Sequence, residues 1–263
     1  MKKLFTGLIA VCFAALAQAE VQTKVIEYKV NGESFTGFLA YDDSVQGKRP
    51  GILVVHEWWG HNDYVRKRAE MLAELGYTAF ALDMFGTGKL TDHPDEAGKF
   101  VQMVTSNIEV AEGRFEAAYN LLRNQPTVNP EHIAAIGYCF GGGTSLHMAR
   151  QGLDLDAVVS FHGALATKTP AEDGDVNAEL LILTGADDPM VPAEQVEAFR
   201  KEMTDANVAF RIYSYPGATH GFTNPEVTEL GKRYNLPLAY NAAADADSWE
   251  KMREFLKDVF ARE

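Results

Sequence analysis

Cysteine is nearly absent from this chain: there are two in 263 residues, Cys12 and Cys139. Cys12 lies inside the apolar N-terminal stretch Leu4–Leu16, so only Cys139 falls in the part that reads as a folded domain. A single thiol cannot close an internal disulfide, which leaves it as a buried apolar filler or a reactive group. Positive charge is also scarce, with 24 Lys and Arg against 37 Asp and Glu and a formal net charge of -13. So acidic a chain lacks the electrostatic footprint of a nucleic-acid binder and is repelled by anionic membranes. Past the N-terminus no apolar run is long enough to span a bilayer, and there is no repeat, linker or low-complexity tract. Apolar residues, by contrast, make up 46% of the chain, enough for a substantial core and too many for a disordered one.

The N-terminus reads as a processing segment. Lys2 and Lys3 form a positive n-region, Leu4–Leu16 an apolar stretch too short for a mature membrane helix, and Ala17-Gln18-Ala19 an A-x-A cleavage site. Val11 before Cys12 argues against a lipoprotein. The expectation is an export signal over residues 1–19, cleavage after Ala19, and one domain over residues 20–263. The mature protein is then expected in the periplasm, as a monomer or small homo-oligomer.

Within the domain, Val21–Val30 and Phe35–Tyr41 flank Asn31-Gly32, a hairpin signature. Gly51–Val55, Tyr77–Leu82, Ile133–Ile136, Ala157–Phe161, Leu180–Thr184 and Phe210–Tyr215 read as buried strands. Asn62–Leu75, Asn107–Arg123, Thr144–Arg150, Pro192–Met203 and Asp247–Phe260 read as helices, and Gly86–Asp95 and Thr223–Asp245 as long irregular loops that could wall a substrate site. Alternating strands and helices predict an α/β fold with a doubly wound, mostly parallel sheet and helices on both faces. Ligands in such sheets bind beyond the carboxyl ends of the strands.

One segment there carries chemistry. Gly137-Tyr138-Cys139-Phe140-Gly141-Gly142-Gly143 joins a strand to a helix and reads as the nucleophile elbow G-x-S-x-G with sulfur in place of oxygen. At the N-terminus of a helix the dipole stabilises a thiolate. A thiol nucleophile needs a base and an acid group to orient that base, and the elbow architecture supplies them in the order nucleophile, Asp or Glu, His, each after a later strand. His220 follows the Phe210–Tyr215 strand, and Asp187 or Asp188 follows the Leu180–Thr184 strand; spacing alone does not choose between the two. The loop after Gly51–Val55 would provide one oxyanion-binding N–H, that of Trp58, and Phe140 the other. Two adjacent tryptophans cannot easily both be buried in a loop, so Trp58 or Trp59 is expected to line the pocket. His56, His61, His93, His132, His147 and His162 read as surface or structural residues. His56-Glu57-Trp58-Trp59-Gly60-His61 departs from H-E-x-x-H by one residue and carries a helix-disfavouring glycine, so neither a metal nor a cofactor is expected.

Taken together, Val54–Gly60, Gly137–Gly142, Gly185–Pro192 and Gly217–Phe222 resemble the dienelactone hydrolase family of α/β hydrolases, with matches spread over most of the domain. The resemblance implies an α/β-hydrolase fold and selects Asp188, which opens a D-x-x-V-P pattern. It implies that the Glu57 carboxylate contacts the resting thiol and moves aside for substrate, and it places Trp59, Tyr138 and Phe222 beside the pocket. Family members acting on dienelactone carry an Arg shortly after the catalytic His. Thr223-Asn224-Pro225 stands there instead, with Lys89 in the Gly86–Asp95 loop as the candidate replacement. The expected substrate is a small ester or lactone with an activated leaving group, cleaved by Cys139, His220 and Asp188 through an acyl-enzyme. The alternatives are a thioesterase or general carboxylesterase with the same triad, a redox-sensing thiol protein, or an inert fold serving as a binding protein.

Overall fold

The structure, a computed structural model, describes residues 21–262, so the expected export segment lies outside the described residues. The chain forms β1 (Val21–Val30), β2 (Glu33–Asp42), β3 (Arg49–Val55), α1 (Asp63–Glu74), β4 (Thr78–Leu82), α2 (Pro94–Thr105), α3 (Ile108–Arg123) and β5 (Val128–Tyr138). It continues through α4 (Phe140–Arg150), β6 (Ala157–Phe161), β7 (Glu179–Gly185), α5 (Ala193–Asp205), β8 (Phe210–Tyr215), α6 (Val227–Tyr234) and α7 (Ala242–Phe260).

The strands form one eight-stranded sheet in the order β1-β2-β4-β3-β5-β6-β7-β8. β1 and β2 are an antiparallel hairpin closed at Asn31 and Gly32, both in the left-handed region at φ 50° and 86°. β2 runs antiparallel to β4, and from β4 to β8 every pairing is parallel. This is the expected α/β architecture.

Because the central strands are covered on both faces, alternate residues serve opposite cores. Ile52, Val54, Ala134, Ile136, Val159, Leu181 and Leu183 pack on α1 (Val65, Ala69, Leu72) and α7 (Met252, Phe255, Leu256). Leu53, Ala135, Val158, Leu180 and Ile182 face the other way, onto Phe115 and Leu122 of α3, Leu146 of α4, and Phe199 and Met203 of α5. Each such buried aliphatic or aromatic side chain contributes roughly 1.5–3 kcal/mol relative to exposure.

Three elements differ from the sequence reading. The Thr223–Asp245 segment is not wholly irregular but contains α6, an eight-residue helix closed by Asn235 in the left-handed conformation at φ 52°. The helix α2, absent from the sequence reading, begins at Pro94, which suits the first helical position, inside the segment expected as the Gly86–Asp95 loop. The C-terminal helix starts at Ala242 rather than Asp247, capped by Asn241, whose side chain accepts from Ala244 N.

Candidate active site

The sequence bends sharply at Cys139. β5 ends at Tyr138, α4 begins at Phe140, and Cys139 itself takes φ 53° and ψ -115°, a conformation rare for a residue with a Cβ. Glycine makes the turn possible by allowing backbones to meet. A Cβ on Gly137 would lie 2.1 Å from the Gly141 carbonyl oxygen, and one on Gly141 would lie 2.3 Å from that of Val55. The strained residue is held by its neighbours: Cys139 N donates to Phe161 O at 3.0 Å, and Cys139 O accepts from Gly142 N at 3.0 Å and Gly143 N at 3.2 Å.

The thiol is half-buried and lines a cavity of about 800 Å³ together with Trp58, Phe140, Met190, Val191 and His220. His220 is buried, and its Nδ1 lies 2.8 Å from Asp188 Oδ2. Burial, the largest influence, acts to lower the imidazole pKa. The charge of Cys139, with the hydrogen bond and charge of Asp188, outweighs it and raises the value to about 10. Among the described residues Nε2 has no hydrogen-bond partner, and Cys139, on the same cavity wall, is the charge that acts on the ring most strongly. Asp188 is buried as well, and its Oδ1 accepts from Met190 N at 2.8 Å. Asp187 is exposed and accepts from Gly217 N at 3.0 Å, so it caps the turn that leads into His220. The two adjacent carboxylates therefore divide the work: one holds the histidine, the other its loop.

Trp58 lines the cavity while Trp59 is buried against it, with ring centroids 4.7 Å apart. Among the described residues, neither the Trp58 nor the Phe140 backbone N–H donates to another protein group. Trp59 instead borders a second cleft of about 440 Å³, with Leu90, Asp92, Asn224 and Glu226. Tyr138 and Phe222 also lie outside the lining of the Cys139 cavity, both fully buried. Side chains alternate along a strand, so Tyr138 points into the α1–α7 face, where it stacks on Phe161 at 4.7 Å. Phe222 packs between His162 and Tyr215.

Glu57 is buried, and its hydrogen bond goes to Asn224 rather than to the thiol, with Nδ2 donating to Oε2 at 2.6 Å. Burial pushes its pKa up to about 7, against the lowering effects of that bond and of the His220 and Arg68 charges. Asn224 thus occupies the region where, by the resemblance, members acting on dienelactone carry an arginine. Lys89 does not replace it: its Nζ donates to Phe85 O at 3.1 Å, and it is outside the cavity lining. His56 and His61 are structural. His56 Nε2 accepts from Met84 N at 3.0 Å, and His61 Nε2 lies 3.0 Å from Ala81 O. Among the described residues no group of His, Cys, Asp and Glu could hold a metal ion.

Two histidines belong to the site although the sequence reading set them aside. His147 reaches the cavity wall from α4 and pairs with Glu112 at 2.8 Å. His162 follows β6 and lies against His220, with ring centroids 5.2 Å apart. Position directly after a strand end was the signal available for His162; nothing local marked His147.

The model of the dienelactone hydrolase family matches residues 35–260, nearly the whole described chain. The chain belongs to the dienelactone hydrolase family. Membership makes it a hydrolase acting on esters or lactones. A Synechocystis sp. protein provisionally named carboxymethylenebutenolidase is 27% identical over 251 residues, covering 90% of this chain and 97% of that one. The crystal structure of a dienelactone hydrolase-like promiscuous phosphotriesterase from metagenomic libraries superposes with a TM-score of 0.84 at 33% identity, covering 92% of this chain and 99% of that one. An α/β hydrolase enzyme from a deep-sea metagenome library shares the fold, with a TM-score of 0.66 at 19% identity over 90% of this chain and 98% of that one.

Proposed function

We propose that this hydrolase cleaves esters or lactones with activated leaving groups, using Cys139 as nucleophile, His220 as acid and base, and Asp188 to orient His220. The observation that carries this is the pairing of a buried His220, raised to about 10, with Cys139 on one side and Asp188 Oδ2 at 2.8 Å on the other. That environment keeps His220 as imidazolium beside the sulfur in the resting enzyme. The thiolate attacks the acyl carbon, and the carbonyl electrons move to oxygen between the Trp58 and Phe140 N–H groups. When the tetrahedral adduct collapses, the C–O bond to the leaving group (C–S for a thioester) breaks, and His220 gives its proton to the departing atom. Water, deprotonated by the now neutral His220, attacks the thioester and expels Cys139 as thiolate.

Sulfur restricts the substrate. The adduct expels the better leaving group, and a thiolate leaves far more readily than an alkoxide, so an alkyl ester mostly reverts. An enol lactone, aryl ester or thioester goes forward. The cavity is lined largely by apolar side chains such as Val101, Ile108, Met190 and Leu238, which suits a small, mostly apolar acyl or aryl group. Export to the periplasm through residues 1–19 is part of the same proposal, checked by N-terminal sequencing of the protein recovered from an expressing cell. The decisive experiment for the chemistry is turnover of aryl esters and enol lactones by wild type and Cys139→Ala. Wild-type activity with a silent variant is expected; equal activity in both would refute the assignment. Formation of a sulfenic acid at Cys139 with peroxide, faster than any ester turnover, would instead favour a redox thiol.

A further inference from the structure

His162 carries costs that simple packing does not require. It takes φ 42°, in the left-handed region, and its buried Nδ1 has no hydrogen-bond partner among the described residues. Its position explains what those costs could serve. His162 N donates to Leu183 O at 2.8 Å, tying it to β7, which leads to Asp188. The carbonyl of the preceding residue, Phe161, accepts from Cys139 N. The ring packs on His220 at a 68° interplanar angle. One point in the chain thus touches the supports of all three proposed catalytic groups.

A chain of hydrogen bonds behind the ring has a determined direction. Arg68 can only donate, and its Nε donates to the Tyr64 hydroxyl at 3.3 Å. Tyr64 and Thr223 share one bond, 2.6 Å between Oη and Oγ1, and Thr223 Oγ1 lies 2.9 Å from His162 Nε2. If Tyr64 donates to Thr223 and Thr223 to His162, every hydroxyl proton in the chain is bonded. Either order leaves one buried proton unbonded among the described residues, that of Nδ1 or that of the Tyr64 hydroxyl, but the Arg68 cation at the head of the chain favours the order in which each donor points away from it. His162 Nε2 is therefore an acceptor, and the ring proton sits on Nδ1. Arg68 is itself fixed, donating to Asp245 Oδ1 at 2.6 Å and to Thr223 O at 2.7 Å. Burial, with the charges of His220 and Arg68, holds the His162 pKa well below the ordinary range, so it does not compete with His220 for a proton.

We propose that His162 is a positioning residue, locked as the neutral Nδ1–H tautomer by the Arg68–Tyr64–Thr223 chain, and that its ring fixes the orientation of His220 for proton exchange during acyl transfer. This rests on the reading of His220 as the base. Long-range ¹⁵N–¹H NMR of the wild-type protein tests the tautomer directly. A neutral His162 ring with protonated Nδ1 and bare Nε2 is expected at pH 7; protonated Nε2 or a charged ring would overturn the proposal. Thr223→Val keeps the side-chain shape but removes the proton given to Nε2. With p-nitrophenyl acetate its kcat is expected to fall roughly 10- to 100-fold, the size of effect that misorienting a reacting group produces. KM should stay within about twofold, and Thr223→Ser, which keeps the hydroxyl, should stay within about threefold of wild type in kcat. A wild-type kcat in Thr223→Val would overturn the proposal. Tyr64→Phe cuts the chain one link earlier and gives a second measure if Thr223→Val does not fold; a drop in kcat, with protonated Nε2 now appearing at His162, is expected, and an unchanged spectrum would count against the chain. Absence of ester turnover by the wild type would strike the proposed function, while the tautomer measurement would still decide the chain.

Discussion

Replacing Glu57 by glutamine should stabilise the protein at alkaline pH and leave it nearly unchanged in acid. The Glu57 carboxyl is buried against Asn224, with a pKa pushed up from 4.5 to about 7. Between these two values the folded protein holds a proton that the unfolded chain has released. Stability from this group is therefore fully present below pH 4.5 and is lost as pH rises through 7. A shift of that size corresponds to about 3 kcal/mol at about 1.4 kcal/mol for each pH unit. Glutamine is nearly isosteric, keeps an oxygen to accept from Asn224 Nδ2, and has no charge to desolvate. Urea denaturation of wild type and Glu57→Gln at pH 4, 7 and 9 gives the test. The two should converge at pH 4, and the variant should be more stable by up to about 3 kcal/mol at pH 9, or roughly 6–12 °C in Tm. Parallel stability curves across that range would show that the carboxyl is not held protonated by burial, and would refute the reasoning.

Other substitutions separate the two neighbouring aspartates and probe the packing that supports them. Asp188→Asn should leave the fold intact and lower kcat on an aryl ester by roughly 10²–10⁴-fold, because His220 loses the partner that sets its tautomer and pKa. Asp187→Ala should cost only about 1 kcal/mol in denaturation, the worth of its bond to Gly217 N, with kcat within severalfold of wild type. Gly137→Ala should yield little folded protein on expression, since its Cβ would sit 2.1 Å from backbone of the helix that follows the nucleophile turn. Glu202→Ala strands Arg150, now bonded to it at 2.7 and 2.8 Å beside the cavity, and should destabilise by about 3–5 kcal/mol as read by urea denaturation.

Much of the fold was legible in the sequence because it depends on short-range signals. Apolar runs such as Gly51–Val55 and Ala157–Phe161 are strands because both faces are covered, and Asn31-Gly32 turns a hairpin because both residues tolerate positive φ. The helices α2 and α6 were less visible. Their helical signals are local caps, Pro94 at the start of one and Asn235 at the end of the other, flanked by loop-like composition. In the site, the strand-end positions of Cys139, Asp188 and His220 could be read directly, since each follows an apolar strand run.

What the sequence by itself determined is the set of elements, the thiol at a glycine-built turn, and the order Cys139, the Asp187-Asp188 pair, His220 along the chain. Tertiary structure alone decided which groups meet. Asp187 and Asp188 are neighbours with identical chemistry that spacing could not separate; the family pattern pointed to Asp188, and the fold is what turns it toward His220 and Asp187 toward Gly217. Glu57 and Asn224 are 167 residues apart, and they meet because β3 and β8 run parallel and the loops after both leave from the same, carboxyl, end of the sheet. Trp59, Tyr138 and Phe222 sit within two residues of Trp58, Cys139 and His220 yet are buried outside the lining of the Cys139 cavity, since the backbone sends neighbouring side chains in different directions. The chain from Arg68 to His162 joins α1, the loop after β8 and the end of β6, a juxtaposition that no local pattern encodes.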